Sequence, residues 1–251
     1  IIRDGNFLNK HKNEFEQIKL FCNILYMKDL MTSFYIGSKM SHGSIAMKVE
    51  DGFLITARGS NKKNIGIGDV VLVKNIDWEN RVIKILSLSG KKASLNAPLV
   101  DNIFKNFRDK KAVVHTHSFN SQYKTTLFAE TPGTLEYATI PIDFLKKSAA
   151  VNLKDHGIIS MGADLFEALL PTLKPEIING NCYENFPELY DLLYKRYFKN
   201  VPDFIKLIES NAQRKSTILD MACGTGEVTI PLLKKGFKVE TLDINSGMLR
   251  Q

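Results

Sequence analysis

The sequence is poor in cysteine. Cys22, Cys182 and Cys223 are odd in number and widely spaced over 251 residues. That excludes a disulfide scaffold and fits a reducing, cytoplasmic compartment. Long apolar runs are also absent. None approaches the roughly 20 residues that span a bilayer, so no membrane association is expected. No N-terminal secretory pattern is visible. The first residue is Ile1 rather than Met, so the sequence reads as a piece of a longer chain. Arginine-rich runs and basic–aromatic interleaving are missing too. The net charge of +7 comes from lysines scattered in twos, as at Lys62-Lys63, Lys91-Lys92, Lys110-Lys111, Lys146-Lys147 and Lys234-Lys235. This is a solvated surface with a mild attraction for phosphorylated metabolites, and no nucleic-acid partner is expected.

The remaining composition, 44% hydrophobic and 24% charged, suits a globular chain with a sizeable core. In residues 7–31, Phe15, Ile18, Phe21, Cys22, Leu25 and Tyr26 recur at helical spacing and predict one long helix. "GSIAMKVE" and "GFLITAR" read as strands around an Asp51-Gly52 turn, and "DVVLVKN" and "RVIKILSL" as two more. Pro98 suits the first turn of a helix over "PLVDNIFKNFRD". "KAVVHTHS" is a strand. The next helix contains Pro141, which must sit early or kink it. "AAVNLKDHGIISMG" gives two strands broken at His156-Gly157, followed by a short helix over "ADLFEALLPTL". Strands and hairpins give way to helix and a strand–helix–strand unit near residues 175–182, with "KPEIINGN" as the linker. Two domains are therefore expected, 1–175 and 182–251.

Two histidines stand one residue apart in "AVVHTHSF". Alternate residues of a strand share a face, so His115 and His117 can reach one ion. Zinc takes three such ligands and leaves one position open. An isolated pair is as readily two satisfied polar residues at a strand end. His156, at a strand end before a glycine, supplies a possible third ligand.

The blocks "SHGSIAMKVEDGFLITARGSNK", "AVVHTHSF" and "PGTLEYATIPIDFLKKSAAVNLKDHGIISMGADLFEAL" resemble the class II aldolase/adducin family, from about Phe7 to Leu173. The resemblance implies an α/β/α sandwich around a mostly antiparallel sheet. It also implies Zn2+ or another divalent metal held by His115, His117 and His156, and a homo-oligomer, a tetramer in the aldolases, with sites between subunits. The implied substrate is a small phosphorylated sugar or related carbonyl compound. The family's phosphate pocket maps onto Gly43, Ser44, Arg58, Gly59 and Ser94. The family's catalytic glutamate maps onto Asn96, whose amide cannot act as a general base. The family also carries about twenty more residues between the blocks "HTHSF" and "ETPGT".

In "ILDMACGTGEVTIPLLKKGFKVETLDIN" a strand ends at Asp220, a glycine turn follows, and a helix starts. Such a turn lets a ligand approach the helix N-terminus closely. Asp243, at the end of the next strand, can accept both hydroxyls of a ribose. A lone G-x-G turn can be an ordinary strand–helix turn. The full string resembles the opening of a class I S-adenosylmethionine-dependent methyltransferase. The resemblance implies that Asp220, Gly224, Gly226 and Asp243 hold S-adenosyl-L-methionine in a Rossmann-like unit. Only two strands of the required sheet are present, so this domain reads as incomplete. The expected whole is a bifunctional metabolic enzyme, an aldolase-like lyase or isomerase joined to a small-molecule methyltransferase. Two alternatives for the first domain are a non-catalytic adducin-like binding or oligomerisation module and a zinc-dependent hydrolase.

Overall fold

A computed structural model describes residues 1–4, 6–35, 38–173, 190, 200–213 and 216–250. The chain divides into two compact units, Ile1–Lys174 and Pro175–Gln251. In the first, the expected long N-terminal helix is two helices. They are α1 (Asn6–Lys10) and α2 (Lys12–Met27). The break falls at His11, whose buried ring meets Asp51 Oδ1 at 3.1 Å instead of following the helix surface. The helix also ends before residue 31, because Asp29 turns into the left-handed region at φ 59°. α2 buries Ile18, Phe21, Cys22 and Leu25 along one stripe, each worth roughly 1.5–3 kcal/mol if fully transferred from water.

A short antiparallel pair follows, β1 (Thr32–Tyr35) with β2 (Ser38–Ser41). The main sheet is built from β3 (Ser44–Val49), β4 (Gly52–Thr56), β5 (Val70–Asp77), β6 (Val82–Leu86), β7 (Ala112–Thr116), β8 (Ala150–Leu153) and β9 (Gly157–Gly162). Its order is β6-β5-β4-β3-β7-β9-β8, and every neighbouring pair is antiparallel.

Alternation of side chains gives the sheet two apolar faces. Phe53, Ile55, Val71, Val73, Val113 and Ile159 point to one side. There they pack on α3 (Ala97–Asn106) and α4 (Leu135–Leu145) through Ile103, Phe104, Ile142 and Leu145. The intervening Ile45, Leu54, Leu72 and Val114 are fully buried on the other side. α2 and α5 (Leu165–Leu169) cover that side, α2 against β3 and β4, α5 against β7 and β9. The result is the α/β/α sandwich with an antiparallel centre. Pro98 sits in the first turn of α3, whereas Pro141 lies in the interior of α4. α4 starts where Thr134 Oγ1 accepts from the Tyr137 amide at 3.2 Å.

The second unit holds α6 (Val201–Asn211), β10 (Thr217–Met221), α7 (Thr229–Lys234) and β11 (Lys238–Leu242). β10 and β11 pair in parallel with α7 as the crossover. Ile205, Leu232 and Phe237 form its small core. The predicted linker lies outside the described residues, as does most of "YENFPELYDLLYKRYFKNVPDFIKLIES", a stretch whose sequence reads as strongly helical. Among the described residues, no helix is long and apolar enough to cross a membrane.

Ile103 joins α3 to the sheet with no exposed surface. Ile103→Ala should cost about 2–5 kcal/mol in denaturant unfolding. Leu88→Ala, at a 44% exposed position, should stay within about 0.5 kcal/mol.

Candidate metal centre and glycine loop

The three histidines named from the sequence converge at one end of the main sheet. His115 is the penultimate residue of β7, His117 lies just past the strand end, and His156 directly precedes β9. One ring nitrogen from each lies within 4.8 Å of the others. The His115 and His156 rings stack at 4.9 Å between centroids, and His115 and His117 meet edge-on at 5.2 Å.

Two glycines permit this approach. At Gly157, φ is +136°, and a Cβ would stand 2.1 Å from the Thr116 carbonyl oxygen and 2.8 Å from His117 Cα. At Gly43, φ is +75°, and a Cβ would stand 2.4 Å from the His115 carbonyl oxygen. Both positions therefore need glycine.

His115 Nδ1 donates to the Ile158 carbonyl at 3.0 Å. A carbonyl can only accept, so the proton is on Nδ1 and the Nε2 lone pair is free. That Nε2 is buried without a hydrogen-bond partner. An orphaned buried acceptor aimed into a histidine cluster is what a metal ligand looks like before its ion is placed.

The rings favour the neutral, ligating form. Burial, then the neighbouring His156 and His117, holds His115 well below the usual imidazole range. Burial, then His156 and His42, brings His117 down to about 4. Burial, then His42, lowers His156. His117 keeps one side open to solvent.

The histidines line a cavity of about 190 Å³ together with Gly43, Arg58, Gly59, Ser94 and Asn96. Seven of the eight sequence-named histidine and phosphate-pocket residues therefore line this cavity, all but Ser44, and Asn96 joins them. Gly43 meets the His115 backbone directly. Ser44 lies beneath, beside His115 in the β3–β7 register, and its hydroxyl accepts from Asn96 Nδ2 at 2.9 Å. Tyr137 donates its hydroxyl to Asn96 Oδ1 at 2.6 Å. Burial pushes the Tyr137 phenol pKa upward, so it stays a donor. Asn96 occupies the N-cap of α3 yet makes no capping bond. Its amide is spent on Ser44 and Tyr137 instead.

His42 and Lys62 also line the cavity and escaped the sequence reading. The His42 ring stacks on His117 at 4.8 Å. The available signal was the pair His42-Gly43, the same dipeptide as His156-Gly157.

In the second unit, the Asp243 carboxylate accepts from the Gly224 amide at 2.7 Å and the Asn245 amide at 2.8 Å. It thereby pins the glycine turn to the end of β11. Asp220 accepts from Thr229 Oγ1 at 2.5 Å. Gly224 and Gly226 are buried in that turn.

Comparison with known proteins agrees with both units. Residues 22–131 match the family model "Class II Aldolase and Adducin N-terminal domain", and residues 178–251 match the "ubiE/COQ5 methyltransferase family". The sugar-phosphate aldolase of Thermotoga maritima superposes with a TM-score of 0.51 at 20% identity, over 64% of this chain and 90% of that one. An L-fuculose 1-phosphate aldolase gives 0.51 at 16% identity, over 63% and 79%. At such identities the likeness is one of fold. A Bacillus subtilis (strain 168) protein described as "Putative methyltransferase YqeM" is 40% identical over 67 residues, 27% of this chain and 26% of that protein. The chain thus spans about a quarter of the length of the curated relatives it matches. The first unit has the class II aldolase fold and matches the class II aldolase and adducin family model over residues 22–131. Residues 178–251 of the second unit match the ubiE/COQ5 methyltransferase family model.

The depressed imidazoles fix a pH response of the metal-free protein. Below the ordinary value of 6.5, the unfolded chain binds protons that folded His117 refuses until about 4. Stability should therefore fall as pH is lowered through that window. Urea midpoints of chelator-treated protein should show the fall, and His117→Gln should reduce it.

Proposed function

We propose that the first unit is a metal-dependent lyase or isomerase acting on a small phosphorylated carbonyl compound. The observation that carries this reading is the unpartnered, buried Nε2 of His115 among three converging rings. His115, His117 and His156 would hold Zn2+ or another divalent cation. When bound, such an ion supplies Lewis acidity toward a carbonyl oxygen. The chain's own residues do the rest. The Ile158 carbonyl fixes the His115 tautomer. Arg58, Gly59, Gly43 and Ser94 face the same cavity and would hold the anionic end of the substrate. Ser44 supports that wall through Asn96. Asn96 orients and cannot take a proton, since its amide is neutral and doubly engaged.

Phe128 lines a crevice beside His156 while 67% exposed. Such an apolar surface suits cover by a second copy, in a homo-oligomer with sites between subunits.

A second reading rests on Asn96. Among the described residues no carboxylate lines the cavity, which fits hydrolytic use of the same centre better than proton abstraction by a carboxylate.

For the second unit we propose S-adenosyl-L-methionine binding and transfer of its methyl group to a small molecule. Asp243 would accept the ribose hydroxyls with the lone pairs left after its two backbone bonds, and Asp220, Gly224 and Gly226 would shape the pocket. The whole would then be a bifunctional enzyme.

Metal analysis should find about one divalent ion per chain, and His115→Ala should weaken its affinity at least tenfold. Unchanged metal content in that variant rejects the centre. Cleavage or isomerisation of sugar phosphates that stops with chelator supports the first reading, whereas release of phosphate or carboxylate products alone supports the second. Asp243→Ala should abolish S-adenosylmethionine binding measured by calorimetry on the complete polypeptide.

A further inference from the structure

Lys62 is 3% exposed, an unusual state for a lysine. It sits in the polar segment between β4 and β5, where sequence alone suggests a solvated side chain. Among the described residues its ammonium makes one hydrogen bond, Nζ to the Ser60 carbonyl at 3.2 Å. Among the described residues it forms no ion pair. Asp69, whose charge acts on it, is already engaged by Lys91 Nζ at 2.5 Å and the Gly66 amide at 3.0 Å. Cys22, also buried against it, is held protonated, its pKa pushed up to about 12 by burial. An ammonium with two unused donors is costly to bury.

The surroundings say where the balancing charge belongs. Lys62 lines the same cavity as Arg58, Gly59, Ser94 and the three histidines. Its backbone amide donates to Ser41 Oγ at 2.8 Å, which ties its segment to the His42-Gly43 wall. No negative side chain faces that cavity among the described residues. Two cations, two glycines and two serines therefore line a space to which the described residues bring no anion.

We infer that Lys62 is a specificity-determining residue that anchors a dianionic phosphomonoester of the ligand in the cavity it shares with the imidazole cluster. This rests on the proposed function and extends it to a residue outside the phosphate pocket mapped from the family. Arg58, exposed at the rim, supplies the fork geometry that fits a phosphate. Lys62 supplies a point charge from the wall. A carboxylate carries a single charge and would leave one cation unmatched.

The test is titration of the complete protein with inorganic phosphate, followed by calorimetry and by thermal shift, in chelator and again with zinc. Acetate is the comparison anion. The expected result is that phosphate binds and raises the melting temperature, that acetate does so at least tenfold more weakly, and that Lys62→Met loses at least tenfold in phosphate affinity. Zinc affinity of that variant should be unchanged, and its ligand-free melting temperature equal to or above that of the parent. Equal phosphate affinity in Lys62→Met overturns the inference, as does a parent protein that binds no phosphate. Equal response to acetate and phosphate overturns the dianion assignment. If Lys62→Met does not fold, amide NMR shifts of the parent decide. Phosphate should move Gly59, Ser60 and Lys62, and shifts confined elsewhere reject the site. Loss of zinc binding by the parent would sink the metal reading, while the titration in chelator would still decide Lys62.

Discussion

The hydrogen bond from His115 Nδ1 to the Ile158 carbonyl governs the site more than any other contact. It joins β7 to β9 through a side chain rather than the strand ladder. It fixes one tautomer, and it turns the remaining nitrogen inward with nothing to bind. An imidazole in bulk water samples both tautomers and several rotamers. Here one is selected by a backbone group of β9, a strand paired on both sides, with β7 and with β8. The neighbouring glycines serve the same end, since Gly43 and Gly157 let two other chain segments close to contact distance around that ring.

Asn96 shows what happens when a local rule and a site compete. The position begins a helix, where an asparagine side chain ordinarily caps the exposed amides. In this protein the amide bridges Ser44 on β3 and Tyr137 on α4. The α3 N-terminus forgoes a cap bond, and the sheet, α3 and α4 are locked together where the cavity opens. The same bridge explains why a neutral side chain is stable in this spot. It both donates to Ser44 and accepts from Tyr137, a combination an ionised carboxylate cannot supply.

Much of this was legible beforehand, for definite reasons. The strands around Asp51-Gly52 and His156-Gly157 showed as short, nearly continuous apolar runs bounded by turn residues, because both sheet faces are buried under helices. The histidine pair showed because a period of two places both rings on one side. The break at His11 did not show, since the helical spacing of Phe7 and Phe15 runs straight through it, and only contact with the distant Asp51 makes the difference. The hairpin of β1 and β2 was likewise unread, being short and polar. His42 and Lys62 were missed because their importance comes from tertiary neighbours. One lies on a ring from another strand, and the other is enclosed by a segment that reads as a surface loop. In the second unit the glycine turn was visible in the sequence, but the clasp of Asp243 on the Gly224 amide needed the parallel register of β10 and β11.

The order of the main sheet has a consequence for how the protein acquires its shape. β3, β4, β5 and β6 follow one another along the chain and pair as neighbours, so they can zip up from adjacent turns. β7 joins β3 only after a long intervening stretch has been drawn in, which is entropically slower. The seam between these two halves runs between Ser44 and His115. The cavity draws Gly43, Arg58 and Gly59 from one side of that line and His115, His117 and His156 from the other, so a partly folded chain with a complete meander lacks the histidine wall.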